Sequence, residues 1–144
     1  MTSSEHILIS LEARHAENIF AGTKQVELRR RTMRVMPGAV VWIYAKLPVG
    51  SIVGSAVVRA VELLAPATLW QRHKKISGLS KDEFFAYFEG VEYGTALILE
   101  KTVRLQKSLS LELLRDLDEC FQPPQFFSRL SAIHPLREAV TSSV

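Results

Sequence analysis

The spacing of apolar positions changes period several times along the chain, and each change marks an element. His6–Leu11 puts Ile7, Ile9 and Leu11 on one side, the two-residue repeat of a first strand. Glu12–Ala21 switches to helical spacing, with Ala16, Ile19 and Phe20 toward a core and Glu12 and Glu17 in its first half. Gly22 ends that helix, because a closing residue often takes a positive φ that a Cβ penalises. Alternation then resumes. Gln25, Glu27 and Arg29 share one side of a short strand, while Val26 and Leu28 face a core. Met36-Pro37-Gly38 reads as a turn and Ala39–Ala45 as a strand buried on both faces or nearly so. After the loop Lys46–Gly50, Ser51–Leu64 is a long strand with Gly54 as a bulge or bend. Small barrels turn corners in this way.

The second half alternates helix and strand. Ala65–Lys75 is helical in pattern and ends in the basic run Arg72-His73-Lys74-Lys75, beside Trp70, which suits a core or rim place and, next to cations, the stacking of a base. Ser80 and Glu83 form a capping box that opens the helix Lys81–Phe88. Tyr93–Leu105 is another strand. Ser110 caps a helix Leu111–Leu117, Pro123-Pro124 breaks the chain, and Phe126, Phe127, Leu130, Ile133 and Leu136 follow at helical spacing. Residues 106–144 are thus expected to be a helical flank with a frayed tail, Thr141–Val144. The pattern predicts one α+β domain over residues 1–144. Its mixed, mostly antiparallel sheet curves toward a small β-barrel, with helices packed outside.

Composition narrows the class. At 144 residues the chain can build one real core, and its 47% hydrophobic content is that of a soluble globular protein. Net charge is only +3, but residues 24–34 hold Lys24, Arg29, Arg30, Arg31 and Arg34 against the single acid Glu27, leaving the rest close to neutral. A basic patch on a neutral body suits a phosphate-bearing partner. Cys120 is the only cysteine, which excludes an internal disulfide and fits a reducing cytoplasm. Residues 1–6 lack a charged-then-apolar leader, and the apolar run Ala39–Ala45 is far short of the roughly 20 residues that span a bilayer, so no membrane partner is expected. His6, His15, His73 and His134 show no zinc-ligand spacing, and His15 is expected to face solvent.

Between helix end and strand start, one amine (Lys24), one acid (Glu27) and one guanidinium (Arg29) converge within a few residues. The spacing Gly22-x-Lys24-x-x-Glu27-x-Arg29 resembles the signature of the ASCH family, a branch of the PUA-like superfamily. Leu8–Leu11, Ile43-Tyr44-Ala45 with Pro48, Ile52-Val53-Gly54, Phe84 with Tyr87-Phe88, and Pro123-Pro124-Gln125 follow in the family's order. The resemblance spans roughly residues 6–130. It implies a curved sheet holding RNA, a nucleotide or a modified base in a cleft. Lys24 would then contact base or phosphate, Glu27 would accept a base N–H or orient Lys24, and Arg29 would fix a phosphate. Arg30, Arg31 and Arg34 would add non-specific attraction, with Tyr44 and Lys46 on the cleft wall.

Two hydrolytic alternatives come with the resemblance. Some similar proteins deacetylate N-acetylcytidine with a lysine at the position of Lys24, and there Lys24 and Glu27 would be the catalytic residues. Those relatives carry a threonine where this chain has Glu27, and a glutamate in a segment that here, around Lys75–Leu79, has no acid. An anion at Glu27 is expected to raise the Lys24 pKa and oppose its use as a base. Other relatives cut single-stranded RNA with metal help. For that chemistry Glu27 and one further acid would hold a weakly bound Mg²⁺ or Mn²⁺; no tightly held cofactor is expected. A different class of reading makes the apolar C-terminal flank a contact for a second copy or another protein.

Overall fold

The computed structural model describes residues 5–144. In chain order the elements are β1 (His6–Leu11), α1 (Ala13–Ala21), β2 (Val26–Arg29), β3 (Val40–Ala45), β4 (Ser51–Leu64) and α2 (Pro66–His73). They continue with α3 (Lys81–Tyr87), β5 (Gly94–Ser110), α4 (Leu111–Leu117), β6 (Ser128–Arg129) and α5 (Arg137–Ser142). The strands form a six-stranded sheet in the order β2-β5-β4-β3-β1-β6. Only β1 and β3 run parallel, and the other neighbours are antiparallel. The sheet curls into a half-barrel flanked by helices, the expected architecture.

The strands carry apolar side chains on both faces, and three clusters divide the work. Alternate residues Ile7, Ile9, Val41, Ile43, Leu97 and Leu99 pack inside the curl with Ala16 and Ile19 of α1. The intervening Leu8, Trp42 and Tyr44 face the C-terminal segment through Phe121, Leu130, Leu136 and Val140. Val26, Leu28, Ala96 and Ile98 lie under α2 and α3, against Leu69, Phe84 and Phe88. Burying a side chain such as Leu97 or Phe84 contributes about 1.5–3 kcal/mol, so these clusters, and not helix propensity, hold the short helices in place.

Gly54 does more than mark a bend. Register shifts flank it on both sides, and a Cβ there would overlap the Phe20 ring of α1 and the Val103 carbonyl of β5. The missing side chain lets α1 press onto the sheet at the point where the strand turns. The Ser80 and Glu83 capping box forms reciprocally, as expected.

The C-terminal region departs from expectation. Residues 106–110 continue β5, only Leu111–Leu117 and Arg137–Ser142 are helical, and Ser128–Arg129 is a strand paired antiparallel to β1. The apolar spacing from Phe126 to Leu136 is not one helical face. Phe126 and Phe127 pack on the inner cluster, Leu130 and Leu136 belong to the outer one, and Ile133 is 92% exposed. Leu130 N donates to the His6 carbonyl, so this segment occupies backbone groups that β1 would otherwise offer at a bare edge. The tail expected to fray at Thr141 is helical through Ser142, anchored by buried Val140.

Candidate functional site

Lys24 is set by the end of α1. Gly22 takes φ 85°, its N–H turning back to the carbonyls of Asn18 and Ile19, and Thr23 N and Lys24 N donate to the Asn18 carbonyl. Gly78 (φ 72°) lies against the lysine stem, where an added Cβ would stand 3.2–3.3 Å from Lys24 Cβ, Cγ and Cδ. Lys24 is 2% exposed, and its Nζ donates to the Ser77 carbonyl at 2.6 Å. The loop before α3 therefore completes the lysine's seat, a role the sequence reading did not assign to it.

Glu27 and Arg29 follow on β2. Glu27 stands opposite Leu97, so both acid and guanidinium face into the curl, while Val26 and Leu28 pack beneath the helices, as the alternation predicts. Arg29 Nε and Nη2 both reach Glu27 Oε2, at 3.0 and 2.9 Å, and Leu28 N donates to Glu27 Oε1 at 3.2 Å. Arg29 Nη1 donates to the Phe126 carbonyl at 2.8 Å. That bond ties the edge strand β2 to the segment leading into the opposite edge strand, β6. The half-barrel's open seam is the site.

A cleft of about 360 Å³ opens there, lined by Lys24, Glu27 and Arg29, by Ser10 of β1, by Glu12, Arg14 and His15 at the start of α1, and by Lys46, Glu83, Tyr87 and Gln125. Beside it a hollow of about 270 Å³ is lined by Arg29, Arg30, Arg31, Tyr87, Gln125 and Phe126. Arg34 is exposed and lines neither. Lys46 stands on the cleft wall, but Tyr44 does not. It is 2% exposed in the outer cluster, its ring 6.3 Å from that of Phe121, because the alternation along β3 turns it away from the curl. His15 also departs from its expected solvent-facing place. It is half-buried at the cleft, and its Nδ1 is buried with no hydrogen-bond partner among the described residues. Ser10 Oγ shares that condition. Neither residue could be found from spacing, since Ser10 reaches the cleft through the curl of β1 and His15 through the packing of α1 on the sheet.

Burial dominates the electrostatics. It pushes the Lys24 amine below the ordinary lysine value, helped by Arg14 and Arg29, and Glu27 opposes this without reversing it. Glu27 raises the amine's pKa as expected, but burial outweighs it. A side chain sealed between Gly78 and Ser77 has lost most of its water, and one anion does not restore it. Burial, Lys24 and Arg14 likewise lower His15, so neutral imidazole is favoured. Burial raises the Tyr87 phenol, whose O–H donates to the Leu28 carbonyl at 3.1 Å. At the rim, Arg14 Nη2 bonds Glu83 Oε2 at 2.6 Å and holds the Glu83 carboxyl down at about 2. Among the described residues no three His, Cys, Asp or Glu side chains gather as metal ligands, and no helix is long and apolar enough to cross a membrane.

A curled mixed sheet with a buried lysine, glutamate and arginine at its seam defines a cleft-bearing PUA-like fold. The ASCH domain family model matches residues 9–103, and the chain belongs to that family. It is 37% identical over 118 residues to an ASCH domain-containing ribonuclease of Zymomonas mobilis, covering 82% of this chain and 79% of that one. The crystal structure of an ASCH protein from Zymomonas mobilis superposes with a TM-score of 0.89 at 33% identity over 96% of both chains. Human THYN1, solved in complex with 5-methylcytosine-containing DNA, shares the fold at a TM-score of 0.58 and 12% identity, covering 97% of this chain and 98% of that one.

Proposed function

We propose that the cleft holds one base or nucleotide of a single-stranded RNA. The observation that carries this reading is the pair of unpartnered atoms. Ser10 Oγ and His15 Nδ1 are buried without partners among the described residues, and both residues line the same cleft as Lys24 and Glu27. Native structures leave few buried polar groups unpaired, and a base seated in the cleft would offer these two side chains a partner on a small rotation toward it. Lys24 Nζ uses one of its three donors on Ser77, and two are left for a base or phosphate. Arg29 is committed to Glu27 and Phe126, so its part is to fix the acid and the seam, with its charge felt by a phosphate. Arg30 and Arg31 supply further attraction, and Arg34 adds only long-range charge. The nucleic-acid-related relatives support this reading.

Fluorescence anisotropy with short single-stranded RNA tests it. Wild type binds with an affinity that falls steeply as salt rises, because phosphate contacts release counterions. Lys24→Ala loses binding while keeping its circular dichroism spectrum. Full binding by that variant would remove the lysine from the site.

A hydrolytic reading has its own support, the Lys24 amine held below its usual pKa beside a half-buried neutral histidine. A neutral amine can take a proton from a 2′-hydroxyl as that oxygen attacks phosphorus to form the 2′,3′-cyclic phosphate and the 5′-oxygen leaves, taking a proton from water, and the related ASCH protein is named a ribonuclease. Glu27 spends Oε2 on Arg29, and among the described residues no three acidic, histidine or cysteine side chains gather around a point, so the residues do not match the ligand set of a resident divalent ion. Cleavage of single-stranded RNA, with and without chelator, and of N-acetylcytidine, each beside Lys24→Ala, separates ribonuclease, amidohydrolase and pure binder.

A further inference from the structure

We propose that the hollow beside the cleft is a second nucleotide subsite, so that the protein grips a dinucleotide step and not an isolated base. The proposal rests on the cleft being a nucleotide site. The hollow and the cleft share Arg29, Tyr87 and Gln125 as a common wall, so a strand leaving one enters the other directly. The two are lined differently. The cleft buries its polar groups, whereas the hollow offers a flat surface and unpaired cations.

The flat surface is Arg31 on Phe126. The guanidinium carbon lies 4.5 Å from the ring centroid, and Phe127 supports the ring edge-on at 4.9 Å and 69°. The Phe126 backbone is fixed by the bond from Arg29. The cations are Arg30 and Arg31. Neither has a carboxylate within ion-pair distance among the described residues, although Arg72, Arg104 and Arg129 each have one. Arg30 Nη1 donates to the carbonyls of Tyr87 and Glu89 at 2.7 and 3.1 Å, which steadies the side chain and leaves Nε and Nη2 for an anion. An exposed Arg–Phe stack alone contributes little, a weak reason to crowd three consecutive arginines. A phosphate between Arg30 and Arg31, with the following base stacked on the Arg31–Phe126 platform, uses every one of these groups.

The test measures dissociation constants for a ribonucleoside monophosphate, the corresponding dinucleotides, and a dinucleotide whose second residue is abasic. Each variant is read as the ratio of mononucleotide to dinucleotide constants, so a general loss of affinity cancels. Wild type gains about tenfold on adding the second nucleotide, the scale of one stacked base, and most of that gain disappears in the abasic ligand. Arg31→Gln, an exposed change that leaves the fold intact, and Phe126→Leu each bring the ratio close to one. An undiminished ratio in both variants overturns the subsite while leaving the cleft reading in place. A full gain with the abasic ligand overturns the platform, because charge alone then accounts for it. Failure of wild type to bind any of these ligands sinks both readings.

Discussion

Replacing Arg29 by Met isolates what holds the seam together. The substitution removes both bonds to Glu27 Oε2 and the bond to the Phe126 carbonyl, and it strands a carboxylate whose side chain is 6% exposed. Breaking a buried ion pair from one side costs about 3–5 kcal/mol, because the remaining charge stays desolvated. Two features bring the expected loss to the lower end, about 3 kcal/mol. Leu28 N still donates to Glu27 Oε1, and the Lys24 charge remains close enough to couple to the acid. For a chain of this size such a loss lowers the melting temperature by roughly 6–12 °C. Urea denaturation of wild type, Arg29→Met, Glu27→Gln and the double variant forms a cycle. The double variant should be more stable than Arg29→Met, since no anion is left without its cation. A cost below about 1 kcal/mol for Arg29→Met would mean that cleft water screens the pair as at an exposed surface, and the reasoning would fail.

Three further outcomes can be checked on the same protein. Gly54→Ala should destabilise by about 1–3 kcal/mol, measured by urea unfolding, because the new Cβ meets backbone at Val103 as well as the Phe20 ring; a neutral effect would contradict that close approach. Arg14→Gln should return the Glu83 carboxyl from about 2 toward 4.5 in an NMR titration; in wild type the small stabilisation from this exposed pair is present above 4.5 and lost as pH falls through about 2. Lys24 has its folded pKa lowered, so the unfolded chain binds more protons between that value and 10.5. The stability of wild type relative to Lys24→Met should therefore rise with pH across that window, and a flat difference would show that burial does not perturb the amine.

What the sequence could and could not disclose follows from the range of the interactions. Gly22, the alternation of Val26 and Leu28 with Glu27 and Arg29, and the Ser80–Glu83 cap are local, and each is legible from a few neighbours. Lys24, Glu27 and Arg29 come together as anticipated because they sit on one helix end and one strand. Tyr44 was misplaced because a strand apolar on both sides gives no sign of which face meets the curl. The Phe126–Leu136 spacing imitated a helix because two clusters on opposite sides of the sheet draw alternate groups of it. His15 reads as a surface residue because the groups it meets at the cleft, Lys24 and Glu27, lie beyond its own helix, which no local pattern encodes. The loop around Ser77 and Gly78 offered no charge or motif, only a carbonyl and the absence of a Cβ.

The bond between Arg29 and the Phe126 carbonyl joins positions 97 residues apart in the chain. A ribosome makes the polypeptide from its N-terminus, so Lys24, Glu27 and the arginines after them are synthesised before β5, the strand that seats them, and long before Gln125 and Phe126. Until that late segment threads along β1, the arginines face an open trough with no opposite bank. On the proposed function, the groove that would capture a strand is finished only when the chain is. A nascent copy, surrounded by ribosomal RNA and bearing an arginine cluster, has no finished groove with which to hold it.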